Sequence, residues 1–287
     1  MAELIVAHIR LPIFSIKHPE AFQVMSSLPI PQPSSLVGLL AYCVGVAKGL
    51  GTKTLDEVKT WVKEAKLLAA RATLITGGLP MTQSSIVLRR FRVVDKAHES
   101  KEKGIPKPIQ RLAKFCQQGD FRMVKILLEK ELTDAFYREY VMGHELLCVW
   151  AIEDDIDLEP NWLYLTQRLG DTESLCTAVS VESIEAEIYE TKEVKTGFPT
   201  PIEGLVWPLE GSHIIIKMCD ELRNLRPYVV PCELRIEKMG RLVVPIVRPS
   251  EIRATYKKPV KVIKADDFIL TAFWPTERTV RRRRVGH

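Results

Sequence analysis

The chain has 287 residues, 46% apolar and 27% charged, enough for one large domain or two ordinary ones of a soluble globular protein. Its longest apolar run, Leu36 to Ala47, is 12 residues, against the roughly 20 that a membrane helix needs. The alternating start "MAELIVAHIRLP" lacks a signal-peptide cleavage site, so a cytoplasmic protein with no membrane partner is expected.

Net charge is only +5, but it is segregated. Residues 89–114 hold nine Lys/Arg against three acids, and 145–193 hold thirteen acids against two bases. Residues 253–284 hold ten bases against three acids and end in "RRRR". Such separation fits a polyanion on one side of the molecule and a protein neighbour on another, with 145–193 as the docking candidate.

Residues 3–11, "ELIVAHIRL", read as a strand apolar on both faces, hence central in a sheet. "PIPQPSSLVGLLAY" then puts prolines at 29, 31 and 33 ahead of two serines and an apolar run. The spacing predicts a stiff lead-in and a helix over 36–48, capped by Ser34 or Ser35 and ended by Gly49. Being apolar almost all round, this helix belongs against a sheet, with Gly38 and Gly45 permitting close backbone approach.

"TLDEVKTWVKEAKLL" predicts a second helix with a Thr54–Glu57 capping box. Strands follow at 69–78 and 84–94, then a basic, Pro/Gly-punctuated stretch over 95–119 that suits a mobile projection. After a helical or strand-like 120–140 come a strand in "HELLCVWAI", a short helix at "PNWLYLTQRLG" and a long alternating strand over 174–190. From about 191, short proline-broken strands suggest a second, β-rich domain, giving domains at 1–190 and 191–287. The order fits an α+β fold, simplest as a ferredoxin-like βαββαβ sandwich.

Catalytic signatures fail. "GLGTKT" misses the phosphate-loop pattern, "HELLC" has Cys148 where a zinc protease needs histidine, and no GxSxG occurs. The six cysteines form no CxxC pair, and four lie in apolar runs, so buried free thiols are expected and neither metal nor cofactor is. Only two asparagines occur, which is compatible with a thermophilic source.

Three segments together carry a family signal. "SLPIPQPSSLVGLLAY" (27–42), "AFYREYVMGHELLCVW" (135–150) and "LYLTQRLGDTESL" (163–175) resemble the Cas-five family, a RAMP-superfamily subunit of type I CRISPR interference (Cascade) complexes. In overall character the chain resembles archaeal type I-A or related subtype members. The resemblance covers about the first 190 residues and implies a ferredoxin-like (RRM-like) domain with an inserted β-hairpin thumb. It further implies binding of the 5′ handle of the crRNA, at one end of a backbone filament and beside the large subunit. Target DNA is a further possible partner. One subtype of the family is itself the metal-independent endoribonuclease that processes precursor RNA.

On this reading Gln32, Ser34 and Ser35 meet RNA at a helix start, where free amides favour phosphate. Arg89, Arg90 and Arg92 with Lys96, Lys101, Lys103, Lys107 and Arg111 form a basic arm tracking the backbone, with Lys114 continuing it. Gly170, Thr172 and Ser174 form a tight turn whose glycine permits close approach and whose hydroxyls donate to phosphate or 2′-hydroxyl. The expected function is a non-catalytic crRNA-binding subunit; the alternative is a repeat-cleaving endoribonuclease using Tyr42, His98 and Lys96 or Lys101.

Overall fold

A computed structural model describes residues 2–21, 26–75, 81–91, 108–143, 145–153, 155–171, 174–240 and 242–273. The first strand, β1 (Ala2–Arg10), is central, as its two apolar faces require. On one side it pairs antiparallel with β6 (Glu145–Glu153), and on the other with β7 (Thr177–Thr196). Beyond β6 lies β3 (Leu67–Leu74), also antiparallel. Taken in chain order these four strands therefore stand fourth, first, third, second across the sheet. Beyond β7 the sheet continues through β13 (Ile252–Ala265) to β14 (Phe268–Thr271), with β9 (Leu205–Glu210) also on β13.

Helix α1 (Pro33–Lys48) covers one face of this sheet. Leu36, Leu40, Cys43 and Val44 are fully buried there with Ile5, Ala7, Ile9 and Trp150. Each large side chain so buried contributes about 2 kcal/mol. Trp150 also donates its indole N–H to the Leu36 carbonyl at 3.1 Å, which fixes the helix along the sheet. The opposite face packs Leu4, Val6, Val149 and Ala151 against Ile263 and Leu270.

The start of α1 departs from expectation. Neither serine caps it: Gln32 holds the extended N-cap position, Pro33 is the first helical residue, and no side chain caps the end. Proline suits that place because its fixed φ is helical and the N–H it lacks has no helical acceptor there. Gly49 does end the helix, at φ +66°.

A 3₁₀ turn (Gly51–Lys53) runs straight into α2 (Thr54–Lys63), so the Thr54–Glu57 capping box does not form. The Thr54 hydroxyl instead donates to the Gly51 carbonyl at 3.1 Å. Gly45 gives the expected close approach, since a Cβ there would lie 3.0 Å from Thr54 Oγ1 and 3.1 Å from the Gly51 carbonyl oxygen. Gly38 does not: a Cβ there would meet nothing within 4 Å.

A second sheet runs from β10 (His213–Cys219) to β11 (Leu225–Met239) and β12 (Leu242–Pro249), with β8 (Thr200–Pro201) on β11. Met81, opening β4 (Met81–Phe91), pairs with Val247 of β12. Phe14 of β2 (Ile13–Phe14) pairs with Val141 near the end of β5 (Thr133–Met142).

The boundary expected at 190/191 falls inside β7, whose residues 187–196 pair with β13 on both sides of that point. The chain divides elsewhere. Ser85–Glu139 centre a second compact unit, inserted between stretches of the first. Expected as a β-hairpin, this insertion also carries helices α3 (Pro108–Gln117) and α4 (Phe121–Leu127), the latter capped by Asp120, whose carboxylate accepts from the Met123 amide at 3.0 Å. So Pro108–Gln117 is helical and 118–119 form a turn, whereas 92–107 lies outside the described residues. Strands dominate the whole, α and β elements being mixed.

Among the described residues no helix is long and apolar enough to cross a membrane, and no three His, Cys, Asp or Glu cluster to hold a metal. All six cysteines are free. Burial pushes the Cys43 thiol up to about 11, against the smaller pull of its Thr166 contact, and those of Cys176 and Cys232 to about 12. Cys148 is raised further by the same cause. Only thiolate attacks a disulfide. The native protein at pH 8 is therefore expected to give Ellman's reagent one fast thiol, the exposed Cys116, lost in Cys116→Ser. Fast reaction of Cys43 or Cys148 would contradict the packing.

Candidate RNA-binding groove

A groove of about 770 Å³ lies where α1 begins. One wall is α1 itself, presenting Gln32, Ser34, Ser35, Gly38 and Tyr42. The second comes from the segment after the 3₁₀ helix Pro160–Leu165, with Gln167, Arg168 and Gly170. The third is the turn between β10 and β11, with Cys219 and Arg223.

Local chemistry fixes each wall. Gln32 accepts the Cys219 amide at 2.9 Å through its side-chain oxygen, tying the helix start to the β10–β11 turn. Pro33 has no amide hydrogen, and the Ser35 amide donates back to the Gln32 carbonyl at 2.9 Å. Ser34 and Ser35 both line the groove, and the first turn of the helix holds no acid.

The turn carrying Arg223 is organised by Asp220. Its buried carboxylate accepts the amides of Leu222 at 3.0 Å and Asn224 at 2.8 Å. Burial pushes the Asp220 carboxyl up, and the Asn224 bonds pull it back down. Arg223 itself sits at φ +66°, a left-handed conformation that a non-glycine residue adopts only where its surroundings impose it.

Next to it, Glu221 is fully buried and pairs with the equally buried Arg71 of β3. Arg71 also donates to the Ala70 carbonyl at 2.9 Å, and its guanidinium lies 5.7 Å from the Tyr228 ring centre. Burial alone would lower the Arg71 pKa, but the charge of Glu221 and its hydrogen bond reverse this and raise it, keeping the arginine charged.

The second wall is set by Gly170, at φ +107°. A Cβ there would lie 2.8 Å from Ile16 Cγ1 and 2.9 Å from the Ser15 carbonyl oxygen. The close approach this glycine permits is thus to the protein's own chain, although the residue also borders the groove. Ser174 is buried, accepting the Ser15 amide at 2.9 Å, so it buttresses the turn and does not reach a ligand.

Gln32, Ser34, Ser35 and Gly170 are thus brought together along one groove, and Ser174 is buried behind the Gly170 turn. Thr172, Arg92, Lys96, Lys101, Lys103, Lys107 and His98 lie outside the described residues. Arg89 and Arg90 fall on β4, and Arg111 on α3 in the second unit. Sequence reasoning missed Arg168 and Arg223. Both are exposed, and neither makes an ion pair among the described residues. Their signals were present: Arg168 lies inside "LTQRLG", and "DELRN" has the Asp and Asn of a side-chain-capped turn.

No match to any family profile is found. The chain is 29% identical to a CRISPR-associated protein Cas5 of Methanocaldococcus jannaschii over 191 residues, 64% of this chain and 65% of that protein. Over that stretch the chain is similar to Cas5. The match spans a little under two thirds of the relative's own length. Its fold is shared with a CRISPR protein from Archaeoglobus fulgidus, at 14% identity and TM-score 0.56, covering 96% of this chain and all of that one. A looser likeness, TM-score 0.39 at 14% identity over 85% and 90% of the chains, is to a chain of a CRISPR RNA-guided surveillance complex.

The buried pair holding the Arg223 turn gives a direct test. Glu221→Ala leaves Arg71 charged and unpaired in the core, which is expected to cost about 3–5 kcal/mol in urea unfolding. A loss below about 1 kcal/mol would show that the pair does not anchor the turn.

Proposed function

We propose that this chain is a non-catalytic subunit of a type I CRISPR interference complex, holding the 5′ handle of the crRNA and capping the backbone filament. The observation that carries the reading is the groove at the start of α1. It is lined by Arg168 and Arg223, by Ser34 at the helix start and by Tyr42, with no carboxylate among its lining residues. Guanidinium groups and amides suit phosphate, while a tyrosine ring suits an unpaired base. The fourth-first-third-second antiparallel order of β7, β1, β6 and β3, with α1 crossing one face, supports a ferredoxin-like core of the kind whose sheets carry RNA recognition.

Docking to the filament subunit and the large subunit is assigned to the acidic side of the molecule. There Glu153, Asp155, Glu185, Glu187 and Asp266 line one concavity, a surface that repels RNA and suits a basic protein face.

Filter binding of single-stranded repeat RNA tests the assignment. Arg168→Glu and Arg223→Glu are each expected to weaken binding by roughly tenfold, and the neutral Ala variants to lower the salt slope by about 0.7. Charge reversal at Arg89, Arg90 and Arg92 is expected to weaken it as well. Unchanged affinity in the groove variants would remove the groove from the account. The same RNA incubated in EDTA is expected to stay intact; a single specific cut, lost in Tyr42→Phe or His98→Ala, would favour the endoribonuclease.

A further inference from the structure

An apolar slot of about 500 Å³ adjoins the groove. Ala41, Tyr42 and Val46 of α1, Gly51 and Thr52 of the 3₁₀ turn, and Leu55 of α2 line most of it. Gly38, Tyr42 and Arg223 line slot and groove alike, so the two cavities border one another at Gly38. Tyr42 and Val46 are exposed, at 41% and 49%, on a helix otherwise largely buried.

Gly38 has no structural reason to be glycine. It sits inside a helix, where glycine is disfavoured relative to alanine, and a Cβ would touch nothing. Gly45, two turns further along the same face, is different: packing against Thr54 and the Gly51 carbonyl crowds out a side chain there. What Gly38 provides is open access to the helix backbone, at the point where two cavities meet.

We infer that the slot takes one unpaired nucleobase of the bound RNA, laid against Tyr42 with its plane over Gly38, while its phosphate is held by Arg223. This rests on the proposed RNA-binding function and adds where a base is taken up. The slot has the size and apolar lining of a small-ligand site, with a cation at its mouth and an aromatic ring in its wall. Those are the complements of a flat base and its phosphate, and stacking on such a ring is sequence-tolerant unless a polar group reads the base edge. The Thr52 and Tyr42 hydroxyls are lining groups able to do so.

The test uses the full chain and fluorescein-labelled repeat RNA, intact or with a single abasic nucleotide moved along its 5′ end. For the wild type, one abasic position is expected to lose roughly tenfold in affinity. In Gly38→Leu, which puts a side chain where the two cavities border, intact RNA is expected to bind as weakly as that abasic RNA, and the abasic penalty is expected to vanish. Gly38→Ala and Tyr42→Ala serve as milder variants, and Tyr42→Phe, which keeps the ring, should restore binding. Melting temperature should not fall in Gly38→Ala. If the wild type binds intact RNA but the abasic penalty persists unchanged in Gly38→Leu and Tyr42→Ala, the base slot is wrong and the groove assignment stands. If the wild type binds no repeat RNA, the proposed function fails and the slot with it.

Discussion

Helix α1 can only lie against a sheet, and the rest of the molecule follows from that constraint. Its apolar residues wrap almost the whole circumference, so water on either side is costly. The sheet beneath is centred on β1, and the Trp150 indole bound to the Leu36 carbonyl sets where along the sheet the helix rests. Once the helix is placed, its N-terminus lies beside the Gly170 turn and the β10–β11 turn. The groove is the gap left where those three ends converge.

A second constraint keeps that gap cationic. Exposed arginines on a turn usually lose their geometry to rotamer freedom, and a surface ion pair would neutralise them. Here the turn is anchored from below, by Asp220 gathering two amides and by Glu221 paired with Arg71 in the core. The negative charges are consumed inside the protein, and the positive charge of Arg223 is left outside. The buried pair thus sets the position of a residue that it does not touch, at an electrostatic cost that apolar packing on both sheet faces offsets.

The sequence shows the parts of this arrangement that depend on local rules, and hides those that depend on contacts made across the chain. The central strand, the buried helix and its Gly49 stop are legible because periodicity and left-handed glycine are local effects. The serine cap is misread because Pro33 takes the first helical position and Gln32, bonded to the Cys219 amide far along the chain, takes the N-cap, so the helix starts before either serine. Ser174 looks like a ligand contact until the Ser15 backbone is found against it. The 190/191 boundary fails because Pro227 and Pro231 lie within the long strand β11, and because β7 runs on past 191 to pair with β13. Arg223 and Arg168 escape notice since neither lies in a basic run; only the fold brings them to one groove.

Ultraviolet cross-linking of the protein to its own repeat RNA, with the joined peptides read by mass spectrometry, tests the central claim most directly. The account predicts cross-links at Tyr42 and in the peptides containing Arg168 and Arg223. Cross-links that spare all three and fall on the acidic β7 face would contradict it.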